Sequence, residues 1–309
     1  MHDLKISVVM TTYNGEKYVI EQLNSIVRQS RQPTEVLIFD DCSSDNTVDI
    51  IRSYIKEKRL DFFHLYVNKV NLGWKRNFIN AINSASGDII FTADQDDIWM
   101  FDKIEKMTDV ISANDKINLL ACNYEILNMR KEKNVEKKQI CSMKNTGAVF
   151  PVVIDRNFHL VMRPGCTYCF RKDFASSALK MWQENLAHDQ LLWGCAVINK
   201  GLFIYDTVLM KFRRHNSNAT GFSKLGTTRK KREAASVLNA CFFEHLYNES
   251  KNRMSSSERY IIEQYIAFER AKADALNRRS FISWIKYNIE YRHYVYSLKS
   301  SLKDLYYII

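Results

Sequence analysis

The chain has 309 residues, of which 46% are hydrophobic and 26% are charged, and its formal net charge is +10. With only 3 Pro and 9 Gly, this composition excludes a linker-dominated protein and indicates one large globular domain, or a domain with an appendage. No apolar run reaches the roughly 18–20 residues of a membrane-spanning helix, and the N-terminal segment lacks a signal-peptide pattern. We therefore expect a cytoplasmic protein, with a peripheral position at the inner face of the cell membrane as an open alternative.

The first 125 residues alternate between short apolar runs and segments of helical period. Strands are predicted at 6–10, 36–39, 62–67 and 89–92. Helices are predicted at 16–28, 44–55 and 74–85. Strands that alternate with helices of this length indicate crossover connections and a largely parallel sheet, so the expected fold class is α/β.

The second half of the chain is less regular. Residues 126–146 are charged and are predicted to form a surface loop or a charged helix. Further strands are expected at 149–154, 166–170, 202–205 and 208–212, with helices at 174–182 and 190–198. Beyond about residue 221 the pattern is helical, with an apolar stripe at helical spacing. Its members are Phe281, Trp284, Tyr291, Val295, Leu298, Leu302 and Leu305.

Positive charge is concentrated at the end of the chain. Residues 224–309 contain 16 Lys+Arg and 9 Asp+Glu, so this segment is net positive by seven. The charge favours an anionic partner such as a membrane surface or a glycan, and a solvated set of basic helices explains it equally well. No basic-aromatic module supports nucleic-acid binding. The apolar stripe could instead pack against the rest of the chain or form a homodimer.

The seven cysteines do not form a recognisable metal site. Cys166 and Cys169 have the spacing of half a zinc site, but no second pair completes it. Reduced thiols are therefore predicted.

Polar segments follow the predicted strands at 11–16, 40–47, 68–77 and 93–99. In an open α/β sheet, ligands bind beyond the carboxyl ends of the strands, so these segments should converge on a polar ligand. Asp94 and Asp96, with Asp97 beside them, have the form of a divalent-cation site, because Mg²⁺ binds carboxylates together with substrate phosphates. A solvated acidic turn is the alternative. Lys75 and Arg76 open the third helix, where anionic oxygens are favoured.

Seven motifs occur in a fixed order: TTYNG at 11–15, FDDCSSDNT at 39–47, NLGWKRN at 71–77, DQDDIW at 94–99, RPGCTYCFRK at 163–172, HDQ at 188–190 and FRRHNSN at 212–218. This set, over about residues 4–220, resembles the family-2 glycosyltransferases of the GT-A fold. The forms DQDDIW and RRHNSN are most similar to the bacterial rhamnosyltransferase branch. The resemblance implies a Rossmann-like nucleotide-binding domain at 1–222 and a basic, helical C-terminal extension at 223–309.

The resemblance also implies roles for single residues. The nucleotide and the donor sugar would be bound by Thr11, Tyr13, Asp41, Arg76, Asp94 and Asp96. The metal, Mn²⁺ or Mg²⁺, would be held by Asp96 and His215, with Asp97 as an adjacent candidate ligand. Asp189 matches the catalytic base, although an Asp before an apolar helix is also typical of an N-cap. The acceptor pocket would include Trp99, Trp193 and His188, with a core position as the alternative for each tryptophan.

The implied activity is inverting, metal-dependent transfer of a sugar from a nucleoside-diphosphate donor. The first choice of donor is dTDP-L-rhamnose, and the acceptor is a hydroxyl of a bacterial cell-surface glycan or its lipid-linked precursor. UDP-hexose or UDP-N-acetylhexosamine is the alternative donor. A non-catalytic nucleotide-sugar-binding or scaffold protein is disfavoured by the joint presence of Asp96, Asp189 and His215. A nucleotidyltransferase would need a glycine-rich phosphate loop, and TTYNGEKY supplies a single Gly.

Overall fold

A computed structural model of the chain describes residues 4–128, 145–215 and 228–309. The strands are β1 (Ile6–Thr12), β2 (Glu35–Asp40), β3 (Phe63–Val67), β4 (Ile89–Asp94), β5 (Ile98–Trp99), β6 (Leu119–Asn128), β7 (Val149–Pro151), β8 (Tyr168–Arg171) and β9 (Leu202–Arg214). The helices are α1 (Val19–Val27), α2 (Thr47–Lys58), α3 (Trp74–Ser84), α4 (Lys103–Ser112), α5 (Lys172–Leu179), α6 (His188–Ile198), α7 (Arg229–Ser250), α8 (Ser256–Arg278), α9 (Phe281–Glu290) and α10 (Leu298–Ile308).

The strands form one mixed sheet in the order β3-β2-β1-β4-β8-β6-β9-β5, with β7 beside β9. Strands β3, β2, β1 and β4 are parallel, while β8 runs antiparallel to β4 and β6. All seven residues of β1 are buried. Such a strand is covered on both faces and reads as a continuous apolar run, which is typical of parallel sheets. The predicted α/β fold is confirmed.

The later elements differ from the predictions. The two strands expected at 202–205 and 208–212 form the single strand β9, whose pairing with β6 is irregular near Asn123. The strand expected at 149–154 is shortened to β7, which is exposed. The irregular segment expected from 126 begins with the end of β6, and residues 129–144 lie outside the described residues. The helices α7 to α10 are separate elements, so the predicted apolar stripe is interrupted between Glu290 and Leu298.

The described residues fall into two compact units. The first comprises 4–128, 145–151, 163–196 and 201–215, and the second comprises 152–162, 197–200 and 228–309. The predicted boundary at 222/223 lies within 216–227, outside the described residues. In the second unit a capping box formed by Ser255 and Glu258 begins α8. Within the described ranges, no helix combines the length and the apolar character needed to cross a bilayer.

Candidate functional site

The carboxyl ends of β2, β1 and β4 lie side by side at one edge of the sheet. Thr11 of β1 pairs with Asp94 of β4, and Thr12 pairs with Asp40 of β2. Because these strands are parallel, the polar segments that follow them leave the sheet at the same edge. The structure thus brings Thr11 and Asp94 together with the segment that follows β2.

The loop after β1 is held by Gln95, which lies between two aspartates of the acidic motif. Its Oε1 accepts a hydrogen bond from the Tyr13 backbone N–H at 2.8 Å, and its Nε2 donates to the Tyr13 carbonyl at 3.0 Å. The same amide lies against Gly15, where a Cβ would collide with it. The Tyr13 side chain remains 47% exposed, so its ring is available to a ligand.

Two buried aspartates at the end of β2 organise the neighbouring loops. The Asp40 carboxylate accepts hydrogen bonds from the Thr12 hydroxyl at 2.7 Å and from the Ser43 hydroxyl at 2.6 Å. The Asp41 carboxylate accepts hydrogen bonds from the side chain of Asn68 and from the backbone N–H groups of Leu72 and Gly73, at 2.8–2.9 Å. Asp41 therefore anchors the loop that leads into α3.

The first turn of α3 carries Lys75 and Arg76, and both side chains contact the segment 182–185. Arg76 forms an ion pair with Glu184, and its guanidinium lies 5.4 Å from the centre of the Trp182 ring. Lys75 donates a hydrogen bond to the carbonyl of Asn185. Both cations are thus bound to the segment 182–185 in this structure.

The acidic motif places three carboxylates close together at the end of β4. Burial and the neighbouring charge of Asp96 raise the pKa of Asp94 to about 7. Asp97 is fully buried, and burial together with the charges of Asp94 and Asp96 raises the pKa of its carboxyl. Hydrogen bonds from the Arg213 backbone N–H and the Cys166 thiol oppose this rise in pKa. A cluster whose members disfavour one another's ionisation is suited to a cation.

Arg213, near the end of β9, forms hydrogen bonds with two residues of the acidic motif. Its backbone N–H donates to Asp97 Oδ1 at 3.0 Å, and its Nε donates to the Asp96 carbonyl at 2.7 Å. Its guanidinium also forms an ion pair with Glu21 at 2.7 Å and lies 4.7 Å from the centre of the Tyr18 ring. Because the Arg213 side chain is buried, these contacts fix the backbone of the motif.

His215 lies two residues after Arg213 and contacts the side chain of Asp96. Its Nε2 lies 2.6 Å from Asp96 Oδ2, and its ring lies 4.8 Å from the Tyr18 ring, centre to centre. An imidazole and a carboxylate are both ligands for first-row divalent metals. The structure therefore joins the two residues that the sequence analysis assigned to the metal.

The donor atoms around this edge fit a hard divalent cation in part. One oxygen each of Asp94 and Asp97 and the sulfur of Cys166 lie within 4.8 Å of one another. Burial and the charges of Asp97 and Asp94 raise the pKa of the Cys166 thiol, so the sulfur is protonated. Mn²⁺ and Mg²⁺ prefer oxygen ligands, so the carboxylates and His215 fit the metal and the thiol does not.

A buried lysine partly balances the acidic cluster. Lys103 of α4 donates a hydrogen bond to the Cys166 carbonyl at 2.8 Å, and its ammonium lies 4.0 Å from the centre of the Trp99 ring. Its positive charge lowers the pKa of Asp94, against the effect of burial. Sequence reasoning missed Lys103, because a lysine in the first turn of an amphipathic helix normally faces solvent.

Asp189, at the start of α6, lies close enough to interact with both the acidic motif and α3. Burial raises the pKa of its carboxyl, and the positive charge of Lys75 opposes this shift. The negative charge of Asp189 in turn raises the pKa of Asp94. Its Oδ1 accepts a hydrogen bond from the N–H of Gln190 at 2.8 Å. A Cβ on Gly165 would collide with the His188 ring and crowd the Cβ of Asp189, so Gly165 permits their close approach.

The residues predicted for the acceptor pocket are buried. Trp99 and Trp193 are 3% and 2% exposed, and the core alternative is the one that the structure shows. Both rings are enclosed because Trp99 lies in β5 and Trp193 stacks on Tyr168. His188 stacks on Phe78 at 3.9 Å, and burial lowers the pKa of its imidazole to about 3. None of the three side chains presents a surface to an acceptor in this structure.

The family model described as glycosyl transferase family 2 matches residues 7–173, which is more than half of the chain. This stretch contains β1 to β8 and the acidic motif, while Asp189 and His215 lie beyond it. The chain belongs to glycosyl transferase family 2. The predicted family and enzyme class are thereby confirmed, and the chain is a glycosyltransferase.

The chain is similar in sequence to a curated glycosyltransferase over most of its length and similar in fold to two solved ones. The chain is 27% identical over 290 residues to the dTDP-rhamnosyl transferase RfbG of Shigella flexneri, covering 86% of this chain and 96% of that protein. TarS 1–349 of S. aureus, in complex with UDP-GlcNAc, is similar with a TM-score of 0.66 and 20% identity, covering 98% of this chain and 82% of that one. The mannosyltransferase PcManGT of Pyrobaculum calidifontis, in complex with GDP-Man and Mn²⁺, has a TM-score of 0.56 and 14% identity, covering 99% and 88%. These two structures show the shared GT-A fold.

Proposed function

We propose that this family-2 glycosyltransferase is an inverting, metal-dependent enzyme. It would move a sugar from a nucleoside diphosphate to a hydroxyl of a bacterial cell-surface glycan or its lipid-linked precursor. The observation that carries this proposal is that the fold brings Asp189 close to the strand of Asp94: Asp189 packs against Gly165, whose carbonyl accepts a hydrogen bond from Thr92 of β4 at 2.6 Å. Asp189 and Asp94 lie 95 positions apart, so this proximity depends on the fold.

In the proposed reaction Asp189 is the general base. Its carboxylate accepts the proton of the acceptor hydroxyl while that oxygen attacks the anomeric carbon of the donor. The bond from the anomeric carbon to the diphosphate oxygen breaks, and the nucleoside diphosphate leaves. A carboxyl with a raised pKa is a stronger base than an exposed aspartate, which suits this role.

Asp96 and His215 would hold the Mn²⁺ or Mg²⁺, with Asp97 as an adjacent carboxylate. The metal, when bound, supplies positive charge to the diphosphate oxygens as negative charge develops on them. Arg213 keeps the Asp96 carbonyl and the Asp97 carboxylate in place through its two hydrogen bonds. The side chains of Asp96 and His215 already meet, since His215 Nε2 lies 2.6 Å from Asp96 Oδ2.

The donor would bind along the edge formed by β2, β1 and β4. Tyr13 offers an exposed ring for the base, and Thr11 lies in register with Asp94, which would bind the ribose or the sugar. The Asp41 carboxylate would accept a hydrogen bond from the nucleoside. It would keep the hydrogen bonds that it accepts from the loop before α3. Arg76 would exchange its ion pair with Glu184 for the diphosphate.

The first choice of donor is dTDP-L-rhamnose, supported by the similarity to RfbG over most of both chains. The base of dTDP carries a methyl group that UDP lacks, and burial of one methyl contributes ~0.8 kcal/mol, or about fourfold in affinity. We expect dTDP to bind about fourfold more tightly than dUDP, from which it differs by this methyl alone, and more tightly than UDP, in a calorimetric titration with Mn²⁺. A clear preference for UDP would instead favour a UDP-hexose or UDP-N-acetylhexosamine donor. A transfer screen over nucleotide sugars tests the proposed activity directly, and the absence of turnover with every donor would favour the non-catalytic alternative.

The charge of Lys75 should influence how kcat/KM depends on pH. Asp189 accepts a proton only when it is ionised, so kcat/KM should fall as the pH drops through its pKa. The positive charge of Lys75 lowers this pKa, and Lys75→Gln should therefore raise it and move the acid limb of the pH profile to higher pH. Lys58→Gln, at the exposed end of α2, is the control and should leave the limb unchanged. If the acid limb of the pH profile is unchanged in Lys75→Gln, the charge of Lys75 does not influence the pKa of the catalytic base.

A further inference from the structure

The helix α10 buries two of its polar residues and exposes three of its apolar residues, while Ile308 at its end is buried. Ser301 and Asp304 are 3% and 2% exposed. The side chains on the opposite side are between 49% and 88% exposed. They are Leu298, Leu302 and Tyr306 of α10 and Ile309, which directly follows the helix. An amphipathic helix of a soluble domain normally has the reverse arrangement.

Specific contacts hold α10 in this orientation. The Asp304 carboxylate forms an ion pair with Arg232 of α7 at 2.5 Å, and the Tyr287 hydroxyl donates to it at 3.2 Å. The Trp284 indole N–H donates to the Ser301 carbonyl at 3.0 Å. Turning the helix to bury its leucines would expose Asp304 and separate its carboxylate from the partly buried Arg232 guanidinium, which is unfavourable. The outward apolar face is therefore set by the packing of the inward one.

The preceding helix α9 presents a second face of the same kind. Ile282, Ile285 and Ile289 are exposed at the spacing of one helical face, while Tyr287 is buried. The contacts of Trp284 and Tyr287 with α10 join the two helices on their inner sides. We name the exposed apolar residues of α9 and α10 the paired apolar faces.

The charged residues beside these faces are mainly basic. Lys286 follows Ile285, and Lys299 and Lys303 follow Leu298 and Leu302, so each lysine lies on a flank of an exposed stripe. All three lysines are exposed. The exposed acidic residue of the two helices is Glu290, because Asp304 is buried in its ion pair.

We infer that the paired apolar faces dock this protein onto the surface of an anionic lipid bilayer. The aliphatic and aromatic side chains would enter the boundary between headgroups and acyl chains, and the flanking lysines would contact the anionic headgroups. Charge complementarity favours lipid over a second copy of the chain, since a symmetric dimer through the same surface would bring like-charged lysines together. This inference stands apart from the catalytic proposal, because docking requires neither a donor nor a metal.

Co-sedimentation of the full chain with vesicles tests the inference. The protein should pellet with phosphatidylglycerol-containing vesicles at low salt, remain in the supernatant with pure phosphatidylcholine, and be released as the salt concentration rises. Lys299→Glu/Lys303→Glu should weaken binding at least about tenfold, because each basic residue near an anionic surface contributes appreciably. The matched control, Lys251→Glu/Arg253→Glu, makes the same change of charge at exposed positions of the same unit and should bind like the wild type.

A second pair of variants tests the apolar contribution. Leu302→Ser/Tyr306→Ser should reduce vesicle binding, and Val237→Ser/Tyr260→Ser, also at exposed positions, should not. Thermal unfolding followed by circular dichroism should be unchanged in all four, since every substituted side chain is exposed. Wild-type protein that stays in the supernatant with anionic vesicles would overturn the inference. So would a dimer in sedimentation equilibrium that Leu302→Ser/Tyr306→Ser converts to a monomer while vesicle binding is unaffected, since a second copy would then cover the faces.

Discussion

Asp189→Asn should lower kcat by roughly 10²–10⁴-fold while leaving the dissociation constant of the donor nearly unchanged. The amide has the size of the carboxylate and can still accept the hydrogen bond from the Gln190 N–H, but it cannot take the proton of the acceptor hydroxyl. Single-turnover kinetics with saturating donor would measure the chemical step, and calorimetry would measure donor binding. The loss should appear in kcat and in kcat/KM together, as for an interaction made in the transition state.

The control for this variant is Asp173→Asn. Asp173 also lies in the first turn of a helix, and its side chain is exposed. If Asp189 served only the start of α6, the two variants should have similar activity and similarly small changes in unfolding temperature. A folded Asp189→Asn protein with near-normal turnover would leave Asp189 as a structural residue of its helix.

Removal of the metal should abolish transfer, and Asp96→Asn should have nearly the same effect. Excess EDTA should reduce wild-type activity by at least about 10²-fold, because a Lewis acid contributes several kcal/mol to stabilising the charge of the leaving group. Added Mn²⁺ should restore it. Asp96→Asn keeps the side-chain size and a hydrogen-bonding group for His215 but removes the charged ligand, so Mn²⁺ should no longer rescue activity.

Electron paramagnetic resonance can measure the binding of Mn²⁺ without substrate. This measurement shows whether Asp96→Asn is inactive because it has lost a metal ligand or because it is unfolded. Asp96→Asn should bind the ion more weakly than the wild type, while its circular dichroism spectrum stays the same. Asp61→Asn, at an exposed position away from the sheet edge, should retain both Mn²⁺ binding and activity. Full activity of the wild type in EDTA would rule out a metal-dependent mechanism.

Much of the first unit could be predicted from the sequence, because its order is local. Apolar runs separated by helical segments specify parallel strands and their crossover helices, and the polar segments that follow must then leave at the same edge. Carboxylates and an imidazole suit a bound cation and a proton transfer. The motifs contain such side chains at Asp94, Asp96, Asp189 and His215. Their order along the chain resembles that of family-2 glycosyltransferases, which implies that they serve one active site.

The contacts that support these residues depend on pairs far apart in the chain. Arg213 holds Asp96 and Asp97 across more than a hundred residues, and Lys103 reaches the Cys166 carbonyl across 63 residues. Neither partner is visible in a local pattern, because an isolated Lys or Arg is predicted to face solvent. For the same reason, the choice between a core position and an acceptor pocket for Trp99 needed the pairing of β5 with β9.

The sequence by itself determined that the chain is an α/β glycosyltransferase with an acidic sheet edge and a basic, helical C-terminal segment. Helical periodicity also determined that α10 has an apolar and a polar side. Only the tertiary structure decided which side faces outward, through the ion pair between Asp304 and Arg232, which are 72 residues apart. Periodicity specifies the two faces of a helix, but the partner that satisfies a buried charge specifies which face is turned to the core.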